Sequence, residues 1–478
     1  MDAKEFRRLG HALVDWVADY RERMDQLPVM STVKPGDVRS LLPASPPAVG
    51  SPLEALVPEL ERVVLPGITH WNHPRFFAYF PSNTTYASIL ADIVISGLGA
   101  QGMSWQTSPA ATEVEEVMMD WLRQMLDLPA TFTGVIQDTA SSATLCALIC
   151  ARERTSDHEQ VRRGLQAGGA PLVVYASDQA HSSIEKAALL AGFGKEYLRL
   201  IPTDDEHALR LDLLQKAIED DIRAGLRPCA IVAAVGTTGT TAIDSVQDTA
   251  NLAQKYGVWL HVDAAMAGTA MILPECRWMW RGIEMADSVV LNPHKWMGVG
   301  FDYCAYYVRD PEHLVRVMST NPSYLRTVQD GEVKNYRDWH IPLGRRFRAL
   351  KFWFVVFEQG VAGLQARLRR DLAHAQWLEK CVKSAEDWEI LAPVPLQTVC
   401  IRHRPKSLTT EEDLAAHNLG LARHLNAAGR VYLTPSILKG KQMIRVSIGA
   451  ELTEHQHMVE LWEQLQAAAT KTDVLRIP

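Results

Sequence analysis

Two residues whose surroundings could give them chemistry stand at the ends of apolar runs. Lys295 closes Asp287-Ser-Val-Val-Leu-Asn-Pro-His-Lys, which places Asn292, His294 and an amine just past a strand-like segment. At the end of a buried strand, desolvation lowers an amine pKa enough for it to form a Schiff base with a carbonyl. A lysine that merely snorkels to water is the competing reading. Asp263 closes Val258-Trp-Leu-His-Val-Asp. A carboxylate there could ligate magnesium, cap a helix or do nothing catalytic.

The pair is more specific than either member. Pyridoxal phosphate needs a lysine for its aldehyde and an anionic carboxylate that keeps its pyridine nitrogen protonated, so that the ring accepts electrons. It also needs a phosphate site, and Gln137-Asp-Thr-Ala-Ser-Ser142 opens an apolar helical run, Ala143–Ala151. Backbone N–H groups, the positive end of a helix dipole and the Ser141 hydroxyl suit a dianion, although an ordinary N-cap has the same pattern. Gly236-Thr-Thr238 adds hydroxyls at another strand end or forms a simple turn. His181, after one strand-like run and before helical Ile184–Ala191, is a satisfied histidine or an imidazole stacked on the cofactor ring. His70 and His73 flank Trp71 with no third ligand nearby, so they read as structural or pocket-lining, and no metal is expected.

These residues need a frame, and the pattern supplies one. Apolar runs at Pro171–Ser177, Cys229–Thr238, Val258–Met266 and Ser288–Pro293 alternate with helical segments such as Ser245–Tyr256. That alternation predicts an α/β fold, a mostly parallel sheet covered on both faces with ligands at the carboxyl ends of its strands. Ser108-Pro109 caps a helix carrying Val114, Val117, Met118, Trp121, Leu122, Met125 and Leu126 on one face. Phe6, Leu9, Leu13, Trp16, Val17 and Tyr20 make 4–24 an amphipathic helix in need of an apolar partner. Seven prolines between Pro28 and Pro58 follow it as an irregular linker, suggesting an arm that reaches across a second subunit. After Arg345 comes a long helical stretch, then strands at Trp388–Val394, Thr398–His403, Val431–Thr434 and Met443–Ile448, with helices near 411–427 and 453–468. The expected division is an N-terminal helical arm and dimer interface at 1–80, a large cofactor domain at 81–345 and a small C-terminal α+β domain at 346–478.

Composition narrows the function. The 478 residues are 47% hydrophobic and 22% charged with a net charge of −7, average for a soluble protein and unsuited to phosphate backbones or anionic membranes. Neither nucleic acid nor membrane is expected as a partner. No apolar run approaches the roughly 18 residues of a membrane span. The charged N-terminus lacks the apolar segment of a signal peptide, and seven cysteines without a C-x-x-C pair read as reduced thiols, so a cytoplasmic protein is expected.

Together, Asn292-Pro-His-Lys295-Trp, His261-Val-Asp263-Ala-Ala, Ser177-Asp-Gln-Ala-His181-Ser-Ser and His73-Pro-Arg-Phe-Phe-Ala-Tyr-Phe-Pro81 resemble the group II pyridoxal phosphate decarboxylases. Among these the chain looks most like the aromatic-L-amino-acid decarboxylases, including bacterial enzymes acting on DOPA. The resemblance implies a fold-type I, aspartate-aminotransferase-like homodimer that converts an aromatic amino acid to its amine. It implies that Lys295 carries the cofactor and Asp263 pairs with the pyridine nitrogen. Ala140, Ser141 and Asn292 would help bind the phosphate, with Thr238 and His294 beside the cofactor and His181 on its ring. Trp71, Tyr79, Phe80, Pro81 and Ser82 would line the substrate pocket, and Met103 would enter it from the partner. Animal relatives usually have an aromatic at the position of Met103 and Thr at that of Ser82, and plant relatives with glycine at the position of Gly344 tend to accept indoles. Tyr324, in the polar stretch 319–337, matches the mobile-loop tyrosine that returns a proton to the former α-carbon. Related aldehyde synthases carry Phe there, so this residue separates amine formation from the alternative, oxidative formation of an aldehyde.

Overall fold

The computed structural model describes residues 1–165, 168–320 and 331–470. They form two compact units. One comprises Met1–Pro81, Cys381–Glu389 and the residues from Ile401, the other Ser82–Lys380 and Ile390–Cys400.

The second unit is built on a seven-stranded sheet: β1 (Thr133–Gln137), β2 (Leu172–Ser177), β3 (Leu198–Ile201), β4 (Arg227–Ala234), β5 (Trp259–Asp263), β6 (Ser288–Leu291) and β7 (Cys304–Val308). The order is β1-β7-β6-β5-β4-β2-β3. β2 through β6 pair in parallel, while β7 runs antiparallel to both neighbours, β1 and β6. β5, β6 and β7 are buried at every position, as strands covered on both faces must be. This is the mixed, mostly parallel sheet expected of fold-type I.

The helices start where their caps predict. Ser108 Oγ accepts the Ala111 N–H ahead of Pro109–Met125, and Ser245 Oγ accepts the Asp248 N–H ahead of Val246–Tyr256. Ala140–Thr155 is apolar on most sides and lies in the core, with Cys146, Leu148 and Cys150 at zero exposure. The long helical stretch at Ala349–Ser384 is not continuous: Gly360, at φ 59° and ψ 177°, breaks it into two helices.

A four-stranded sheet, most of it in the first unit, comprises β8 (Trp388–Ile390), β9 (Thr398–His403), β10 (Thr434–Leu438) and β11 (Lys441–Ser447) in the order β10-β11-β9-β8. The strand expected at Val431–Thr434 lies instead at Thr434–Leu438, and β8 stops at Ile390. Gln137 ends β1 rather than opening the following helix.

Candidate active site

Parallel pairing aligns three strand ends. Ala234 of β4 lies opposite Asp263 of β5, which lies opposite Val290 of β6. The loops leaving these ends therefore converge, and they enclose a cavity of about 270 Å³. It is lined by Thr139, Ala140, Ser141, His181, Ser183, Ala234, Gly236, Thr237, Thr238, Asp263, Ala265, Met266, Asn292, His294 and Lys295. Eight sequence candidates thus meet in one place: Ala140, Ser141, His181, Thr238, Asp263, Asn292, His294 and Lys295.

Asp263 is 8% exposed, and its Oδ1 accepts the Ala265 N–H at 3.0 Å. Beneath it, His261 is buried between Ser288 Oγ at 2.9 Å and Thr144 Oγ1 at 3.4 Å, and burial pulls its pKa to about 4. A neutral ring therefore underlies the Asp263 charge.

His181 is the N-cap of Ser182–Leu190. Its Nδ1 accepts the Ser183 N–H at 3.2 Å and sits 2.8 Å from Ser183 Oγ. Burial, followed by the positive charge of Lys295, lowers its pKa against the opposing pull of Asp263. The neutral ring accepts at Nδ1, so it carries its proton on Nε2.

The turn after β4 is fixed by geometry that only glycine tolerates. Gly236 has φ 86°, and a Cβ there would lie 2.4 Å from that of Ala267. Buried Asp244 accepts the Ala234 N–H at 2.7 Å and the Leu209 N–H at 2.8 Å, while burial raises its pKa to about 6. The helix Ala140–Thr155 begins with no side-chain cap, so its first N–H groups are available at the cavity wall. Asn292, 4% exposed, has an Oδ1 without a partner among the described residues. His294 is held by the Tyr303 N–H on Nδ1 at 3.1 Å, and burial brings its pKa to about 3. Ser82 Oγ donates to the His294 carbonyl at 3.2 Å.

This donor set fits pyridoxal phosphate. Uncapped helix N–H groups with hydroxyls suit a dianion, Asp263 suits a protonated pyridine, and Lys295 supplies the amine. The unpartnered Asn292 oxygen is a buried polar atom that a bound group would satisfy.

Other candidates are not among the residues lining this cavity. Trp71, Tyr79 and Phe80 belong to the first unit, where the Trp71 and Tyr79 rings stack at 5.6 Å and Phe80 is 6% exposed. Tyr79 has φ 45°; its N–H donates to Thr434 Oγ1 at 2.8 Å and its carbonyl accepts from Arg445. Met103 is half-buried and does not line the cavity; its carbonyl accepts the Arg337 N–H. His70 and His73 are structural, His70 bonded to the Tyr20 hydroxyl at 2.7 Å and His73 accepting the Arg75 N–H. Tyr324 falls outside the described residues. Sequence reasoning gave no role to Ser183, which orients His181, nor to Thr139 and Met266. Only the two-residue spacing from His181 to Ser183 signalled any of these in advance.

Comparison with known proteins agrees with this geometry. The model of the pyridoxal-dependent decarboxylase conserved domain matches residues 35–404. The chain is 42% identical to an aromatic-L-amino-acid decarboxylase of Bos taurus, covering 98% of this chain and 97% of that one. It is 38% identical to a phenylacetaldehyde synthase of Petunia hybrida, covering 98% and 95% respectively. The crystal structure of Oryza sativa TDC with PLP and tryptamine superposes with a TM-score of 0.95 at 38% identity, covering 98% of each chain. With a lysine, a carboxylate and a helix terminus gathered in one cavity, a domain match over most of its length and relatives spanned almost end to end, the chain belongs to the pyridoxal-dependent decarboxylases.

Proposed function

We propose that the chain decarboxylates an aromatic L-amino acid, of the class of DOPA, tryptophan, 5-hydroxytryptophan, tyrosine and phenylalanine, to the amine and carbon dioxide. The observation that carries the reading is the convergence of Lys295, Asp263, His181 and the uncapped helix terminus at Ala140 on one cavity. Lys295 would hold pyridoxal phosphate by its aldehyde, Asp263 by its pyridine nitrogen, and Ala140, Ser141 and Asn292 by its phosphate, with Thr238 and His294 beside it. When bound, the cofactor supplies an electron sink for the pair left by the departing carboxylate.

The chain's own residues set the rest. Asp263 would keep a proton on the pyridine nitrogen, and His261 beneath it, held neutral by burial, would not compete for it. His181, a neutral Nε2–H donor at the cavity wall, would lie beside the bound ring. The pocket would shield the substrate carboxylate from water, which favours its loss as carbon dioxide. Tyr324 then holds the proton that returns to the α-carbon. The names of the relatives favour an aromatic side chain over an acidic one.

A second copy of the chain completes this reading. The helix Tyr86–Leu98 leaves Leu90, Ile93 and Leu98 at 50%, 48% and 62% exposure, and Phe6 of the first helix at 66%. Apolar faces of that kind mark interfaces, and Met103 would reach the pocket of the partner. A dimer in sedimentation that Leu90→Asp dissociates with loss of turnover is expected; a fully active monomer overturns it. Seven free cysteines, six of them buried, accord with a reducing cytoplasm. Among the described residues no helix is long and apolar enough to cross a membrane.

The similarity to the Petunia hybrida synthase favours a second reading, oxidative release of an aldehyde; Tyr324 stands against it. Holoenzyme incubated with each aromatic amino acid, with amine, aldehyde, oxygen uptake and carbon dioxide measured, decides between them. Stoichiometric amine without oxygen uptake is expected, and Tyr324→Phe should divert product to aldehyde. Aldehyde from the unmodified protein, or preferential turnover of glutamate, overturns the proposal.

A further inference from the structure

Lys295 sits in a single helical turn, Pro293–Trp296, and the chain then runs through an irregular stretch to β7 at Cys304. That stretch is gripped by charged side chains of Ala349–Ser384, none of which lines the cavity. Trp296 is fully buried and its indole N–H donates to Asp371 Oδ2 at 2.8 Å. Asp371 is itself at zero exposure, its Oδ1 receiving Arg370 Nη2 at 3.2 Å, and Arg367 donates to the Trp296 carbonyl at 3.1 Å. Lys351, also at zero exposure, donates from Nζ to the carbonyls of Gly300 and Asp302, both at 2.9 Å.

The opposite side of the stretch is held as well. Thr85 donates its N–H and its hydroxyl to the Gly298 carbonyl, each at 3.1 Å, and Ser88 Oγ accepts the Gly300 N–H at 2.7 Å. Asn83 Nδ2 donates to the carbonyl of Lys295 at 2.8 Å. The fit leaves no slack: a Cβ at Gly298 would lie 2.6 Å from Arg367 Nη1 and 2.8 Å from Thr85 Cγ2.

Burying an ammonium and a carboxylate is costly unless each is fully hydrogen-bonded, and apolar residues could fill the same space. What the two charges add is direction. Lys351 fixes two main-chain carbonyls, Asp371 fixes the orientation of one indole, and Trp296 is covalently next to Lys295.

We propose that Asp371 and Lys351 are positioning residues for Lys295, fixing the backbone that follows it so that the amine enters the cavity along one line. The proposal rests on Lys295 as the attachment point of the cofactor. Misplacement of a reacting group by about 1 Å can cost about a hundredfold in rate.

The test uses Asp371→Leu and Lys351→Met, with Asp371→Asn as the conservative variant, which keeps an oxygen for the indole N–H. In the holoenzyme, kcat should fall about ten- to a hundredfold for the first two, with KM little changed, and the pH midpoint of the visible absorbance should move. Asp371→Asn should recover most of both. In the cofactor-free protein, amide exchange should quicken at 297–302 and not in β5, a readout independent of turnover. Unchanged kcat and spectrum in Asp371→Leu overturns the proposal, as does exchange that quickens uniformly while turnover follows the folded fraction. If Asp371→Leu does not fold, Lys351→Met carries the same readings. Borohydride reduction and peptide mapping of the parent protein keep the two readings apart. A label on another lysine removes the premise, whereas a label on Lys295 with unaltered variants removes only the positioning role.

Discussion

Asp263 and His261 show how two residues of one strand divide a task. Both belong to β5, but Asp263 ends the strand at the cavity wall while His261 is sealed below it and held neutral. Only Asp263 offers charge to a bound ring. Asp263→Asn keeps an acceptor for the Ala265 N–H but, on the proposed reading, loses the charge that would hold a proton at the pyridine nitrogen. Turnover should fall by about a hundredfold or more, the scale of losing one preorganised electrostatic contact. Melting temperature should hardly move. Kinetics and calorimetry on the same preparation check this, and near-normal turnover would assign the tuning of the ring to another group. His181 differs from Asp263 in having its proton placed by a neighbour: with Ser183 N–H on Nδ1, its donor is Nε2. A Ser183→Ala variant keeps that backbone bond and should leave activity within about threefold, whereas Ser183→Pro deletes the N–H and should not.

At the level of elements, the strands legible in the sequence were those apolar on both faces. β4, β5 and β6 announce themselves as unbroken runs. β1 does not: it is five residues with Gly134 near its start, a glycine required because a Cβ would meet the Met119 and Tyr307 side chains at 2.4 and 2.6 Å. The reversed direction of β7 is a property of pairing, which periodicity does not carry. β10 was misplaced because Pro435 argues against a strand, yet β10 is an edge strand, where a missing donor is tolerated. Val431 and Leu433 are buried, but the Tyr432 main chain bonds Arg75 and Phe77 rather than a strand of the four-stranded sheet. The candidate site residues were legible because they sit at strand ends or in the turns and helix starts just past them; their supports were not, because those lie far away in sequence. Glu115 and Arg345 are the clearest case. They are 3% and 4% exposed and pair at 2.7 Å, with Glu115 accepting the Ile136 N–H and Arg345 donating to the Ile136 carbonyl. This pair pins β1, the strand that leads to Thr139. Glu115→Ala strands a buried guanidinium and should cost about 3–5 kcal/mol, seen as a lowered melting temperature. Replacing both partners with apolar residues of similar size should cost much less, and equal losses would show that the charge is not the issue.

Over the whole molecule, burial of histidines sets the response to acid. Burial carries His73, His261 and His403 to about 4 and His294 and His340 to about 3, from 6.5. Well above pH 6.5, from about pH 7.5, these rings are nearly all neutral in both folded and unfolded chains and add little pH dependence. Below it the unfolded chain takes up protons that the folded chain refuses, so stability falls as pH drops from about 6.5 to 4 and further to 3 for the last two. A ring carried from 6.5 to about 4 withdraws up to about 3 kcal/mol over the full window. Asp244 runs the other way, since a carboxyl raised to about 6 binds its proton more readily in the fold and offsets part of the loss between pH 6 and 4. Asp371, whose carboxyl burial also raises, adds to that offset, but five rings against two carboxyls leave the net slope unfavourable in acid. The melting temperature should therefore fall only slightly from pH 8 to 7, where Lys351, lowered by burial to about 8, adds a small loss of the same sign, and drop steeply by pH 5. His340 offers the sharpest check, because it is 6% exposed, neither ring nitrogen has a partner among the described residues, and after burial the Arg345 and Arg348 charges oppose its protonation. His340→Leu removes a basic group without breaking a hydrogen bond. It should match or exceed the parent at pH 7.5 and narrow the gap between pH 7.5 and pH 5. An undiminished gap would mean that His340 takes no part in the acid response and that the other rings account for it.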